Sequence, residues 1–244
     1  MKKLWQKFEQ FCGYYRWHPK IALRYLPAVE KLKTARVNSI LEVGSGGLGI
    51  TPYLKSRVVG LDIHFEQPIH PLLIPVKGLV LDLPFTDNSF VAVVAMDLLE
   101  HIPASDREQA IRNLLKVAAE ILVLGVPCSR ASEKQDQQLA HQYQNIHQQP
   151  DCYLVEHIEH RLPDQSWIQQ VIIKTARELN KEITIEVLGN INLNLRNWLM
   201  QGWISKNILV NLFFRKFLLL LLPVMRHLNK EPTYRKIFFV TIKS

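Results

Sequence analysis

The chain has 244 residues, 48% of them hydrophobic and 21% charged. That composition excludes a disordered or fibrous protein and suits one α/β domain with an elaboration. The net charge of +8 is unevenly placed, with +7 on residues 1–36, −7 on 37–189 and +8 on 190–244. An acidic body between two basic flanks points to an anionic partner for the flanks.

Three cysteines, Cys12, Cys128 and Cys152, are far apart and odd in number, with no metal or redox spacing, so they read as reduced cytosolic thiols. Met1-Lys2-Lys3 begins like a secretory signal, but Trp5 to Gln10 interrupts any apolar core of the needed length. Residues 1–17 place Leu4, Phe8, Phe11 and Tyr15 at helical spacing and predict an amphipathic helix. A second helix is expected over 20–35, interrupted near Pro27.

Alternation follows. Strands are predicted at Val37–Val43, Val58–Ile63, Gly78–Leu83, Phe90–Met96 and Glu120–Val126, with a helix at Arg107–Ala118. The nearly all-apolar run at 90–96 fits a strand buried on both faces. Strands alternating with helices give a doubly wound, mostly parallel sheet. Residues 129–150 are polar, rich in Gln and His, and without apolar periodicity, so a surface loop or lid is expected there. Asp164 caps a helix expected over 164–179. The last strands fall at Ile183–Leu188 and Lys236–Ile242, with a basic, apolar helical insertion between them.

That insertion holds Ile208–Met225, the greasiest stretch. Asn211, Arg215 and Lys216 interrupt it, so it is expected to fall short of the roughly 20 residues that cross a bilayer. Lys206, Arg215, Lys216 and Arg226 among Ile, Leu and Phe, with Trp198 and Trp203 just before, suit a membrane interface. A roof over a ligand pocket or a homodimer contact fits the same residues. Nucleic acid is not expected, since no binding module appears.

The strongest local signal is Leu41-Glu42-Val43-Gly44-Ser45-Gly46-Gly47-Leu48-Gly49. A strand running into glycines turns tightly and lets backbone approach a nucleotide. The spacing of Gly44, Gly46 and Gly49, with Asp62 ending the next strand, also matches a dinucleotide fingerprint and leaves nicotinamide open. Three features favour a cationic ligand or its adenine instead: Glu42 before the glycines, Leu81-Asp82-Leu83-Pro84-Phe85, and the polar cluster Asp97 to His101 after the fourth strand.

Together these four segments resemble the class I methyltransferases, within them the type 11 group that includes quinone-biosynthesis-like enzymes. The resemblance spans about residues 36–127 and the Tyr234–Lys243 ending. It implies a Rossmann-like fold with a seven-stranded sheet and S-adenosyl-L-methionine as cofactor. By match, Glu42, Gly44, Ser45 and Gly46 hold its methionine half, Asp62 its ribose, and Asp82 with Leu83 its adenine; Gly49, Ile63 and Asp97 complete the expected cofactor-binding set. One departure is Val91, where the group usually carries an acid. His101 is the candidate general base because it follows the fourth strand at the ligand-binding edge.

No metal is expected. Glu156-His157-Ile158-Glu159-His160 sits on no confidently helical segment and ends at Pro163, and the metal use that some quinone-pathway relatives make of acids and a histidine in this segment is not expected of Asp97, Glu100 and His101. The expectation is a methyltransferase acting on a small, lipid-linked or glycan-type acceptor in the cytoplasm, peripheral on the inner membrane face. A non-catalytic cofactor-binding protein and a nicotinamide oxidoreductase are its rivals. Residues 1–35 form a helical flank and 36–244 the catalytic domain, with 129–163 as the lid and 190–233 as the insertion.

Overall fold

The β-branched runs do form a sheet. In the computed structural model, which describes residues 16–243, it has seven strands in the order β3-β2-β1-β4-β5-β7-β6. These are β1 (Ile40–Val43), β2 (Val58–Asp62), β3 (Leu73–Lys77), β4 (Phe90–Met96), β5 (Ala118–Pro127), β6 (Glu182–Asn192) and β7 (Thr233–Lys243). The first five strands run parallel, and β7 inserts antiparallel between β5 and β6. The order reverses between β1 and β4, which opens a crevice at their carboxyl ends where such sheets take ligands.

Period-two alternation sends neighbouring strand residues to opposite faces. On one face Leu41, Val43, Val93 and Ala95 meet Leu114 and Leu115 of α3 (Arg107–Val117) and Ile168 and Ile172 of α6 (Gln165–Glu178). On the other, Ile40, Ala92, Val94 and Met96 meet Leu23, Val29 and Leu32 of α1 (Pro19–Thr34), together with Leu218, Leu222 and Met225 from the insertion. Asp164 caps α6 by accepting from the Ser166 and Trp167 N–H groups. The expected amphipathic helix over 1–17, with Cys12 and Trp5, lies almost wholly outside the described residues.

Four expectations change. The third strand is Leu73–Lys77, while 78–83 is a turn bridged between Leu79 and Asp82. Pro75 disguises that strand, and its missing N–H is tolerated because β3 is the edge of the sheet. Helix α1 is continuous through Pro27. The proline removes the donor that would bond the Leu23 carbonyl, and the Asn190 side-chain amide donates to it at 3.0 Å.

The presumed loop at 129–150 is an 18-residue helix, α4 (Arg130–His147), capped by Ser129. Its buried residues are Ser132, Asp136 and Leu139, so the inward face is mostly polar and carries no apolar period. The histidine-rich segment after it is also helical, α5 (Cys152–His160), capped by Asp151. The insertion comprises α7 (Leu193–Ile204), α8 (Ile208–Lys216), a 3-10 turn (Phe217–Leu221) and α9 (Leu222–Met225). α2 (Thr51–Leu54) is a single turn after the glycine loop.

Candidate functional site

Strand β1 delivers the chain into the crevice, where the Gly44 N–H donates to the Leu61 carbonyl at 2.8 Å and fixes the loop against β2. Gly46 and Gly49 have φ of +53° and +49°, the left-handed region that glycine enters without strain. They differ in what surrounds them. A Cβ on Gly46 would meet no atom within 4 Å, so the loop backbone is open to a ligand there. A Cβ on Gly49 would overlap the Glu42 carboxylate.

Glu42 is fully buried, and its Oε2 accepts from the Ile50 N–H at 2.8 Å. Burial pushes its carboxyl up to about 7, against the opposing pull of that N–H. The side chain therefore fastens the loop from beneath. Asp62 braces the other side, with Oδ2 accepting from the Gly46 N–H at 2.7 Å and Oδ1 from the His64 N–H at 3.0 Å. Ile63 stands 62% exposed next to it. The Ser45 hydroxyl donates to the Gly46 carbonyl at 3.1 Å. Asp82 is exposed and half-buried Leu83 packs on the core, in a turn that Asn113 ties to α3 through the Val80 and Leu81 carbonyls.

Asp97, at the end of β4, is spoken for. Arg235 on β7 grips it bidentately, and Arg24 on α1 adds a contact of 2.9 Å. Burial alone would raise its carboxyl, but the two guanidinium groups outweigh burial and hold it well below the usual carboxylate range. Arg24, Arg196 and Arg235 were counted among the basic flanks, yet all three neutralise buried carboxylates inside the molecule. The charge available to an outside partner is correspondingly smaller.

Beyond Asp97, the short turn Leu99–His101 meets α5, which itself packs on α4, in a polar cluster. Glu100 is wholly buried, and neither carboxylate oxygen has a hydrogen-bond partner among the described residues. Burial, with the nearby Asp97 charge, pushes its carboxyl well up. His101 Nδ1 bonds Glu156 at 2.6 Å, and its ring lies 4.8 Å from that of His157. His157 Nδ1 bonds Asp136 at 2.8 Å, and Asp136 also accepts from Arg196 at 2.6 Å and Tyr234 at 2.9 Å.

Burial and then the His157 neighbour lower the His101 pKa, against the pull of Glu156, so the ring is neutral near pH 7 with Nε2 able to take a proton. One ligand atom each from Glu100, His101 and His157 lies within 4.8 Å of the others. Two imidazoles steadied by carboxylates, plus a third carboxylate, form a donor set that could hold a divalent ion. Sequence reasoning discounted this because it did not see α5 as a helix. It missed Asp136, Arg196 and Tyr234 because nothing local marks a polar residue that turns inward.

Residues 41–120 match the methyltransferase-domain sequence family, the span that carries the glycine loop, Asp62, Asp82 and the β4 end. A search of curated protein sequences found no match. Among solved structures, the methyltransferase domain of bacterial CtHen1 is similar at a TM-score of 0.52, with 12% identity over 92% of this chain and 100% of that one. The YcgJ protein from Bacillus subtilis reaches 0.50, with 14% identity over 88% and 96%. Magnesium protoporphyrin IX methyltransferase from Synechocystis PCC 6803, with bound S-adenosylhomocysteine, reaches 0.50, with 11% identity over the whole of both chains. At these identities the likeness is one of fold. Residues 41–120 thus resemble a methyltransferase domain, and the chain has a Rossmann-like fold similar to that of these solved methyltransferase structures.

Proposed function

We propose that the chain transfers the methyl group of S-adenosyl-L-methionine to a small, lipid-linked acceptor held beside the Glu100–His101–His157 cluster. The bound cofactor supplies a methyl group already activated on a sulfonium. The chain then has to hold, orient and exclude water. The open backbone at Gly46 receives the methionine half, with Ser45 and Gly44 beside it. Asp62 and Ile63 meet the ribose, and Asp82 with Leu83 borders the adenine. Asp97 acts through Arg235 and Arg24, which fix the edge of β4.

His101 is the group placed to accept a proton if the acceptor is a hydroxyl, because Glu156 orients its ring from Nδ1 and leaves Nε2 toward the cluster. An ion on Glu100, His101 and His157 would serve the same end by lowering the pKa of a coordinated hydroxyl.

The observation that carries the lipid-linked reading is the insertion's two ends. Arg196 on α7 reaches Asp136 in the cluster, while α8, joined to α7 by the three residues 205–207, buries none of its nine residues. One element thus joins the site to an exposed apolar face. The test is incubation of the full chain with methyl-labelled S-adenosyl-L-methionine and a polar-lipid extract of membranes. Label in the organic phase is the expected result. Label confined to water-soluble glycans would move the acceptor to that class, and no label in any fraction would leave only cofactor binding.

A further inference from the structure

Ile208–Met225 is 18 residues long and, by length and composition, apolar enough to cross a membrane, yet only 22% of it is buried. Ile208, Leu209, Leu220 and Val224 are 82%, 76%, 65% and 63% exposed. Water-exposed apolar side chains in one continuous stretch mark a surface that something covers. We propose that this face docks on the headgroup-to-acyl boundary of an anionic lipid bilayer, lying in the interface and not crossing it.

The fold argues against crossing. Leu218, Leu222 and Met225 point back into the core beneath α1, so insertion as a span would tear them from the sheet. The helix is also broken at Lys216, whose φ of −123° separates α8 from the following turn. Each piece is far shorter than the roughly 20 residues a span requires. An element with one side in the protein core and the other exposed and apolar suits interfacial burial of roughly 5–10 Å.

Charge selects the lipid. Residues 208–230 contain no Asp or Glu, while Lys206, Arg215 and Lys230 are exposed around the apolar side chains and Arg226 beside them pairs with Glu30 of α1 at 3.1 Å. Basic residues at this depth are attracted by anionic headgroups, each by about 1 kcal/mol. Trp198, 43% exposed, packs on Phe214 at the same face, in the position aromatic rings take at a headgroup boundary. A recess of about 460 Å³, lined by Leu195, Trp198, His227, Leu228 and Lys230 among others, opens there too.

A second copy of the chain is the competing occupant, and the charge pattern disfavours it. A two-fold interface sets a patch against itself, so it would bring these basic rims together with no acid in the segment to pair them. The docking stands on its own observations and gives the lipid-linked acceptor reading its location.

The experiment is flotation of the full chain with vesicles of phosphatidylcholine alone or mixed with phosphatidylglycerol. The expected result is binding to the mixed vesicles, weakened by salt, and much less to the neutral ones. Leu209→Glu and Leu220→Glu should each reduce it about tenfold or more, since each removes a large exposed apolar side chain from the contact. Both positions face solvent, so thermal unfolding and S-adenosylhomocysteine binding serve as controls that should not move.

Equal binding to neutral and anionic vesicles would overturn the proposal, as would no binding to either. So would a dimer, seen by light scattering, that the same substitutions dissolve. Failure to bind S-adenosylhomocysteine would instead count against the methyltransferase reading while leaving the vesicle result to stand.

Discussion

Gly46 and Gly49 sit three positions apart in one loop and share a left-handed backbone, but their surroundings predict opposite failures when each becomes alanine. At Gly46 the new methyl group meets no protein atom within 4 Å. Its cost to folding is therefore the left-handed strain alone, about 1–2 kcal/mol. At about 2–4 °C per kcal/mol for a chain of this size, the melting temperature falls by roughly 2–8 °C. The same methyl group occupies the space where the cofactor's methionine half is placed, so affinity for S-adenosylhomocysteine should drop about tenfold or more.

At Gly49 the strain is the same, but the methyl group overlaps the carboxylate of fully buried Glu42. Displacing Glu42 also breaks its bond from the Ile50 N–H. Overpacking of this kind adds about 1–3 kcal/mol, for a total of about 2–5 kcal/mol. Calorimetric titration and thermal unfolding of the two variants side by side make the test. Wild-type affinity in Gly46→Ala would show that the open loop is not where the cofactor lies. Equal stability of the two variants would show that Glu42 is not the wedge under the loop.

Other consequences follow from the buried polar groups. Glu42, raised from 4.5 to about 7, binds its proton more tightly in the folded state, so its contribution to stability is present below pH 4.5 and is lost as pH rises to about 7. Glu42→Gln should therefore gain on the wild type by up to about 3 kcal/mol between those limits in denaturant titrations, and a pH-independent difference would refute it. Asp136→Ala leaves the Arg196 guanidinium, 8% exposed, without its carboxylate and should cost about 3–5 kcal/mol. A loss under about 1 kcal/mol in urea unfolding would mean that the cluster is solvated.

Asn190→Ala strands the Leu23 carbonyl above Pro27 and should cost about 1–3 kcal/mol; hydrogen exchange in α1 should rise with it, and unchanged protection would refute the account. Finally, chelator-treated protein titrated with Co(II) should take up one equivalent with visible absorption bands that Glu100→Gln and His157→Gln each abolish. Unchanged spectra in both variants would remove the ion from the site.

The motifs that run along a single strand and its turn were legible in the chain itself. Leu41 to Gly49 states a strand, a tight turn and a close backbone approach within nine residues, because each depends only on local dihedral freedom and on side chains alternating across a pleat. Phe90–Met96 and the Asp164 cap were legible for the same reason. Only the tertiary structure decided what those elements meet.

Asp97 looked like an open ligand until Arg24 and Arg235 closed on it from α1 and β7. Residues 130–160 looked like loop because their inward face is made of Ser132, Asp136 and His157, and hydropathy cannot distinguish a polar residue that faces water from one that faces a buried partner. The greasy stretch at 208–225 announced its composition, but which of its leucines enter the core and which face outward was fixed by packing against α1. Propensity and periodicity act over a few residues, whereas ion pairing and burial act between segments far apart in the chain.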